Sequence, residues 1–316
     1  MNKKTVVLNA AKMNYDGNLD FSILSDDVTV YDDTTPEQLL ECIQSAGVVV
    51  TKEMPVSGDL IRQFPDSVKI ICEAGTGYNN IDLAAAREKG IIVCNVPSYS
   101  SERVAHTAIM MILNLSSTMQ TQMKMLAKGD HSNFTKHLQV PHVEVNGKTL
   151  GIIGAGNIGR AVIKIAKALD MDILVYTRTP REDSDGIRYV DLDTLLANSD
   201  YISLHCPLTP QTRHIINKET LSKMKPSAFL VNTSRGALVD EPALIEALQN
   251  GVIAGAALDV QETEPPAEDN PLYTLDNVIL TPHMGWKGLE TRQRLVSILD
   301  GNIKAFFAGN PRNVVS

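Results

Sequence analysis

Three short polar stretches each follow an apolar run of strand length, and each carries a side chain able to do chemistry on a small acid. Thr233-Ser234-Arg235-Gly236 follows Phe229 to Asn232, Asp259 through Glu264 follows Ala256 to Leu258, and Pro282-His283-Met284-Gly285-Trp286 follows Val278 to Thr281. An arginine holds a carboxylate through two parallel hydrogen bonds. A histidine passes a proton at neutral pH, and a carboxylate beside it orients the imidazole and raises its pKa. Singly, each has an ordinary alternative: Arg235 as a surface ion pair, Glu264 beside Pro265-Pro266 as a solvated loop acid, His283 after Pro282 as a turn histidine. Together they stand at successive strand ends, where no structural need places all three types.

The element that must position a second reactant for them runs Thr149-Leu150-Gly151-Ile152-Ile153-Gly154-Ala155-Gly156-Asn157-Ile158-Gly159-Arg160. An apolar strand breaks there into glycines and re-emerges as a helix. Gly154 permits a tight turn, Gly156 lets the backbone approach a pyrophosphate, and Gly159 lets the helix pack close to the strand. Amides at the helix start hold the phosphate. The helical spacing of Ala161 to Leu169 and the following run Ile173-Leu174-Val175-Tyr176 complete a βαβ unit, the setting that separates a dinucleotide site from a bare glycine turn. With the three strand-end groups, the set suits a 2-oxo acid beside a nicotinamide.

The rest of the chain supplies the frame. The first hundred residues read as alternating strands and helices: Thr5 to Leu8, Val28 to Tyr31, Val48 to Thr51, Lys69 to Cys72 and Ile91 to Cys94 as strands, with a helix opened by the N-cap Thr35 and Pro36. This pattern predicts a parallel sheet. Between its last two strands lies Ala74-Gly75-Thr76-Gly77-Tyr78-Asn79-Asn80-Ile81-Asp82, read equally as a simple turn or as a ligand turn at a strand's carboxyl end. Asn95 to Ser100 is the natural linker. One long helix is expected from Ser101 to Lys128, its methionines filling a core or subunit contact. The second half is expected to hold six strands, and the segment 288–309 to be a helix returning to the first domain. His131, His137 and His142 match no metal spacing, and no metal is expected.

With 316 residues, two domains are the prior. A net charge of −8 argues against nucleic acid and anionic membrane as partners. The start of the chain is too short in its apolar part for a signal peptide or membrane span, so a cytoplasmic location is the default expectation. The four cysteines, Cys42, Cys72, Cys94 and Cys206, show no paired spacing and read as reduced thiols.

Over essentially its full length the sequence resembles the D-isomer-specific 2-hydroxyacid dehydrogenase family. The stretches that carry the resemblance are GTGYNNID, NVPSYS, GIIGAGNIGR, HCPLTPQT, VNTSRGALVDEPAL, ALDVQETEPP and TPHMGW, and within the family the glycerate dehydrogenase (hydroxypyruvate reductase) branch is the most similar. The resemblance implies an α/β fold of two Rossmann-like doubly wound parallel-sheet domains with a cleft between them. Residues 1–98 plus 286–316 would form a flavodoxin-like substrate domain, and residues 99–285 the dinucleotide domain. It implies that Arg235 binds the substrate carboxylate and carbonyl oxygen, that His283 is the acid/base paired with Glu264, and that amides around Thr76 and Gly77 complete the carboxylate site. Asn157 and Ile158 would meet the pyrophosphate, with Gly154, Gly156 and Gly159 in the same cofactor-binding turn, while Thr76, Cys206, Thr233, Asp259 and Gly285 line the cofactor. It further implies a homodimer and a small anionic 2-oxo or 2-hydroxy acid substrate, with hydroxypyruvate or glyoxylate first in line. A 3-phosphoglycerate dehydrogenase and, from another class, a non-catalytic dinucleotide-sensing corepressor are the alternatives.

Two departures stand out. The family's helix usually reads VAE or VAQ where this chain has Val104-Ala105-His106. An NAD site places an acid at the end of the second strand for the ribose hydroxyls; here Tyr176 is followed by Thr177-Arg178-Thr179, and Asp172 lies at the wrong end of the strand. Arg178, with Arg181, suits a 2′-phosphate and favours NADP(H) over NAD(H).

Overall fold

Valine- and isoleucine-rich runs buried on both faces cannot alternate apolar with polar, and such strands belong to parallel sheets covered by helices. Val6, Val48, Val49, Val50, Ile70 and Ile71 are of this kind, each wholly buried. A computed structural model describes residues 2–179 and 181–316. It divides into two units, one formed by the chain up to Tyr99 and again from Lys287, the other by Ser100–Trp286.

In the first unit β1 (Thr5–Val7), β2 (Val28–Val30), β3 (Val48–Thr51), β4 (Ile70–Glu73) and β5 (Ile92–Cys94) form a five-stranded parallel sheet in the order β2-β1-β3-β4-β5. The strand order reverses between β1 and β3, so this sheet's switch point lies at Asn9 and Lys52. Local chemistry starts its helices. Thr35 and Gln38 make a reciprocal capping box with Pro36 in the first turn, and the Asp82 carboxylate accepts the Ala84 and Ala85 amides, both at 3.0 Å. The C-terminal helix spans Leu289–Phe307 and packs within this unit, Asn302 Nδ2 donating to Asn95 O at 2.9 Å. It is pinned by the buried Arg292, which donates to both Asp16 oxygens at 2.8 and 2.6 Å and lies over the Tyr15 ring. The Arg292 bond holds the Asp16 carboxyl well below the usual carboxylate range.

The second unit holds β6 (Thr149–Ile153), β7 (Asp172–Tyr176), β8 (Ile187–Tyr189), β9 (Tyr201–Leu204), β10 (Phe229–Asn232), β11 (Gly255–Leu258) and β12 (Val278–Leu280). They form a parallel sheet in the order β12-β11-β10-β9-β6-β7-β8, which reverses between β6 and β9. Two expectations are corrected here. The sheet has seven strands where six were expected: β8 is an edge strand of three residues with Arg188 exposed, and one-sided pairing needs no apolar run. The single helix expected from Ser101 to Lys128 is two, Ser101–Ser117 and Met119–Ala127. Ser116 and Ser117 turn their hydroxyls back onto Leu113 O at 2.9 and 2.7 Å, and Thr118 leaves the helical region at φ 50°. Among the described residues no helix is long and apolar enough to cross a membrane. His131, His137 and His142 are exposed, and all four cysteines are free, three of them buried.

Candidate active site

The turn after β6 sits at the larger sheet's switch point, where open α/β sheets take ligands. Gly154 has φ +98°, and a Cβ on it would lie 2.6 Å from the Cys206 amide nitrogen just beyond β9. Only glycine fits that backbone and that approach. The helix Asn157–Ala168 then starts hard against the turn: a Cβ on Gly159 would lie 2.2 Å from Gly154 O. Val162, Ile163 and Ala166 bury the helix's inner face, which leaves Asn157, Ile158 and Gly159 in its first turn. First-turn amides lack intrahelical acceptors, and the helix dipole makes this end positive. The space around Gly156 is open, with nothing within 4 Å of where its Cβ would be.

Two buried polar atoms nearby lack any partner among the described residues, Thr233 Oγ1 after β10 and His205 Nδ1 after β9. Such atoms are costly unless something completes them. Together with the open glycine edge and the positive end of the helix, they fit a nicotinamide dinucleotide. Burial pushes His205 down to about 3 and the Cys206 thiol up to about 11, so both are uncharged at neutral pH. At the far end, β7 stops at Tyr176 and the Thr177 hydroxyl turns onto Thr179 O at 2.8 Å. Arg178 and Arg181 are exposed, and Asp172 opens the strand rather than closing it.

The acid/base groups gather after β11 and β12. His283 Nδ1 meets Glu264 Oε2 at 2.8 Å, and Glu264 Oε1 accepts the Gln261 amide at 3.1 Å. A carboxylate only accepts, so it fixes a proton on Nδ1 and leaves Nε2 without a partner among the described residues. The loop under this ring is clamped by Asp259, which is 1 % exposed. Its Oδ1 accepts Thr281 Oγ1 at 2.5 Å and the Met284 amide at 2.8 Å, and its Oδ2 accepts the Gly285 amide at 2.7 Å. A Cβ on Gly285 would lie 2.8 Å from that Oδ2, so glycine is needed for the clamp to close. His283 itself is held at φ +47°, its amide bonded to Asp259 O at 2.9 Å. A cavity of about 450 Å³ opens beside the pair, walled by Pro265, Pro266, Tyr273 and Leu280. The Arg235 guanidinium, after β10, donates only to Ser234 O at 2.7 Å and forms no ion pair among the described residues, so the reading as a surface ion pair fails.

In the first unit the turn after β4 carries Thr76 and Gly77. Its carbonyls are used: Gly75 O accepts the Val96 amide at 2.9 Å and Thr76 O accepts Asn95 Nδ2 at 2.8 Å. The Thr76 and Gly77 amides donate to no acceptor among the described residues. His106 is exposed on the helix Ser101–Ser117.

Residues 109–285 match the family model described as "D-isomer specific 2-hydroxyacid dehydrogenase, NAD binding domain". A hydroxypyruvate reductase of Blautia hydrogenotrophica is 38% identical over 99% of this chain and 99% of its own. The chain belongs to the D-isomer-specific 2-hydroxyacid dehydrogenase family. Solved structures agree with this membership. A D-lactate dehydrogenase from Aquifex aeolicus complexed with NAD and lactic acid superposes with a TM-score of 0.85 at 31% identity, covering 99% of this chain and 100% of that one. An acyclic imino acid reductase in complex with NADPH and D-Arg superposes at 0.84 with 30% identity and the same coverage.

Against this family frame, three supporting groups escaped the reading of the sequence. Thr281 and Asp259 act as a pair only because parallel β11 and β12 end side by side. Arg160 braces the glycine turn, donating to Ala155 O at 2.9 Å and Asn157 Oδ1 at 2.6 Å. A cation in a helix's first turn opposes the dipole, and that is the signal that would have found it. Arg213 and His214 clasp Glu262 at 2.6 and 3.0 Å, bracing the loop that carries Glu264.

Proposed function

We propose that this enzyme reduces a small 2-oxo acid to the D-2-hydroxy acid, with hydroxypyruvate first and glyoxylate next, using NADPH in preference to NADH. The observation that carries the reading is the 2.8 Å Glu264–His283 pair at the carboxyl edge of the nucleotide-binding sheet, with Nε2 and the Arg235 guanidinium left for a ligand. Arg235 binds the substrate carboxylate and steadies negative charge growing on the carbonyl oxygen. His283, as imidazolium, gives its Nε2 proton to that oxygen, and Glu264 keeps the ring oriented through Nδ1. The dinucleotide, when bound, supplies the hydride to carbon 2. Asp259 and Gly285 keep the His283 loop in place, and Cys206 and Thr233 border the cofactor. In the five-stranded unit, the Thr76 and Gly77 amides are the carboxylate donors that the family resemblance implies.

The preference for NADPH rests on Arg178, with Arg181, standing where an acid would meet the ribose hydroxyls. A homodimer is supported by the exposed apolar side chains of Met110, Leu113, Met119, Met123 and Phe134 along and after the helices Ser101–Ser117 and Met119–Ala127; a monomeric mass in solution contradicts it. The activity is tested by following oxidation of NADPH and NADH with a panel of 2-oxo acids. Turnover with hydroxypyruvate and NADPH is expected, and no oxidation of either cofactor with any acid overturns the reading.

A further inference from the structure

A buried charged cluster at the carboxyl edge of the five-stranded sheet takes no part in the steps above. Lys52 follows β3 and Glu73 ends β4, and each is 2 % exposed. Lys52 Nζ lies 2.8 Å from Glu53 Oε1. Glu73 Oε2 accepts Thr51 Oγ1 at 2.7 Å and Asn80 Nδ2 at 2.9 Å, and its Oε1 accepts the Glu53 amide at 3.2 Å. Buried charges of this kind persist only when paired and hydrogen-bonded. Burial alone lowers the pKa of Lys52, but the Tyr99, Glu53 and Glu73 side chains outweigh it and the net shift is upward; burial raises that of Glu73.

The cluster lies directly beneath the turn with the open amides. A Cβ on Gly75 would stand 3.5 Å from Glu73 Oε1 and 3.6 Å from Lys52 Nζ. Lys52 also marks the switch point of this sheet, where an open α/β sheet receives a ligand. One ammonium faces two carboxyl groups there. A further cation at the rim is the exposed Lys12, whose Nζ donates to Glu53 O at 3.2 Å. Lys52 and Lys12 together balance Glu53 and Glu73, so these four groups offer no surplus positive charge. A monoanionic carboxylate is satisfied by amide dipoles on the turn, whereas a phosphoryl group carries close to two negative charges and needs unpaired cations.

We propose that the Lys52–Glu53–Glu73 cluster is a charge filter under the substrate turn, admitting 2-oxo and 2-hydroxy acids whose far end is uncharged and rejecting their phosphorylated counterparts. This inference rests on the reading in which the Thr76–Gly77 turn takes the substrate. The three side chains are specificity-setting groups and touch no reacting atom.

The test is equilibrium binding of D-glycerate and 3-phosphoglycerate, by calorimetry, to the full chain saturated with oxidised dinucleotide. The wild type is expected to prefer D-glycerate. Removing one negative charge a few ångströms below the ligand in Glu73→Gln moves the ratio of the two dissociation constants toward the phosphorylated acid by about tenfold. Glu73→Asp keeps the wild-type ratio. A merely structural loss weakens both ligands alike and leaves the ratio where it was. Should Glu73→Gln fail to fold, Glu53→Gln, whose side chain is 41 % exposed, carries the same expectation. A wild type that prefers 3-phosphoglycerate, or folded variants with an unmoved ratio, overturns the filter. Turnover of hydroxypyruvate is measured separately: its absence removes the proposed activity while the binding ratio still decides the filter.

Discussion

At the carboxyl edge of the seven-stranded sheet, Thr233 Oγ1 and His205 Nδ1 are buried without partners among the described residues and His283 Nε2 is unbonded. At the same edge of the five-stranded sheet the buried Glu73 accepts three hydrogen bonds and Lys52 is paired, and what stays open is the Thr34 hydroxyl after β2 and backbone, the Thr76 and Gly77 amides. An unsatisfied buried polar group costs about 1–3 kcal/mol, which a ligand at the carboxyl edge would recover. One sheet therefore offers side-chain chemistry to its ligand. The other offers shape and dipoles, with its charges spent on one another.

The comparison breaks most visibly at His283. If the larger sheet's edge holds the proton donor, His283→Ala lowers kcat by about 10³-fold while the affinity for the dinucleotide, measured by fluorescence titration, is retained. Equal rates in variant and wild type contradict the assigned role.

The buried neutral His205 gives the next effect, on stability. Burial holds its pKa near 3 against an ordinary 6.5. Below pH 6.5 the unfolded chain binds a proton that the folded chain refuses until about pH 3. Its contribution is therefore intact above pH 6.5 and is lost as pH falls through that window, by up to about 1.4 kcal/mol per pH unit. His205→Gln removes this part of the slope in urea unfolding between those two values. An unchanged acid limb shows that the ring is accessible to protons in the folded chain.

Much of this arrangement was legible before any coordinates. The strands Val48–Thr51 and Phe229–Asn232 match the expected spans and the helix Pro36–Cys42 starts at its expected cap, because buried runs and a capped helix start leave their mark in the sequence. The Glu264–His283 pair was legible as chemistry at two strand ends. What stayed hidden depends on neighbours that sequence does not list. β8 is held by one-sided pairing to β7, the break at Thr118 by serine hydroxyls that bond backward, and the Asp259 clamp by two strands far apart in the chain. Lys52 and Glu73 read as ordinary polar residues at strand ends; only the register Thr51↔Glu73 brings them under one turn.

The clamp yields a sharper test of the larger sheet's edge. Gly285→Ala puts a methyl group 2.8 Å from Asp259 Oδ2 and must displace either the carboxylate or the His283 loop. A shift of about an ångström in a catalytic group costs about 10²-fold in rate. The expected signature is a loss in kcat with little change in melting temperature; a loss of folding instead assigns the clamp to stability alone.

The smallest expected effect concerns the end of the site where side chains again face outward. Arg178 is exposed and bonds no acid among the described residues, and β7 ends without a carboxylate. A guanidinium there rewards a 2′-phosphate with a charge-assisted hydrogen bond, whereas a ribose hydroxyl gains little from it. Arg178→Ala is therefore expected to lower kcat/KM with NADPH by about tenfold, the worth of one exposed charged hydrogen bond, and to leave kcat/KM with NADH nearly unmoved. Equal losses with both cofactors mean that Arg178 holds the adjoining loop rather than reading the phosphate, and the preference for NADPH then has no residue to carry it.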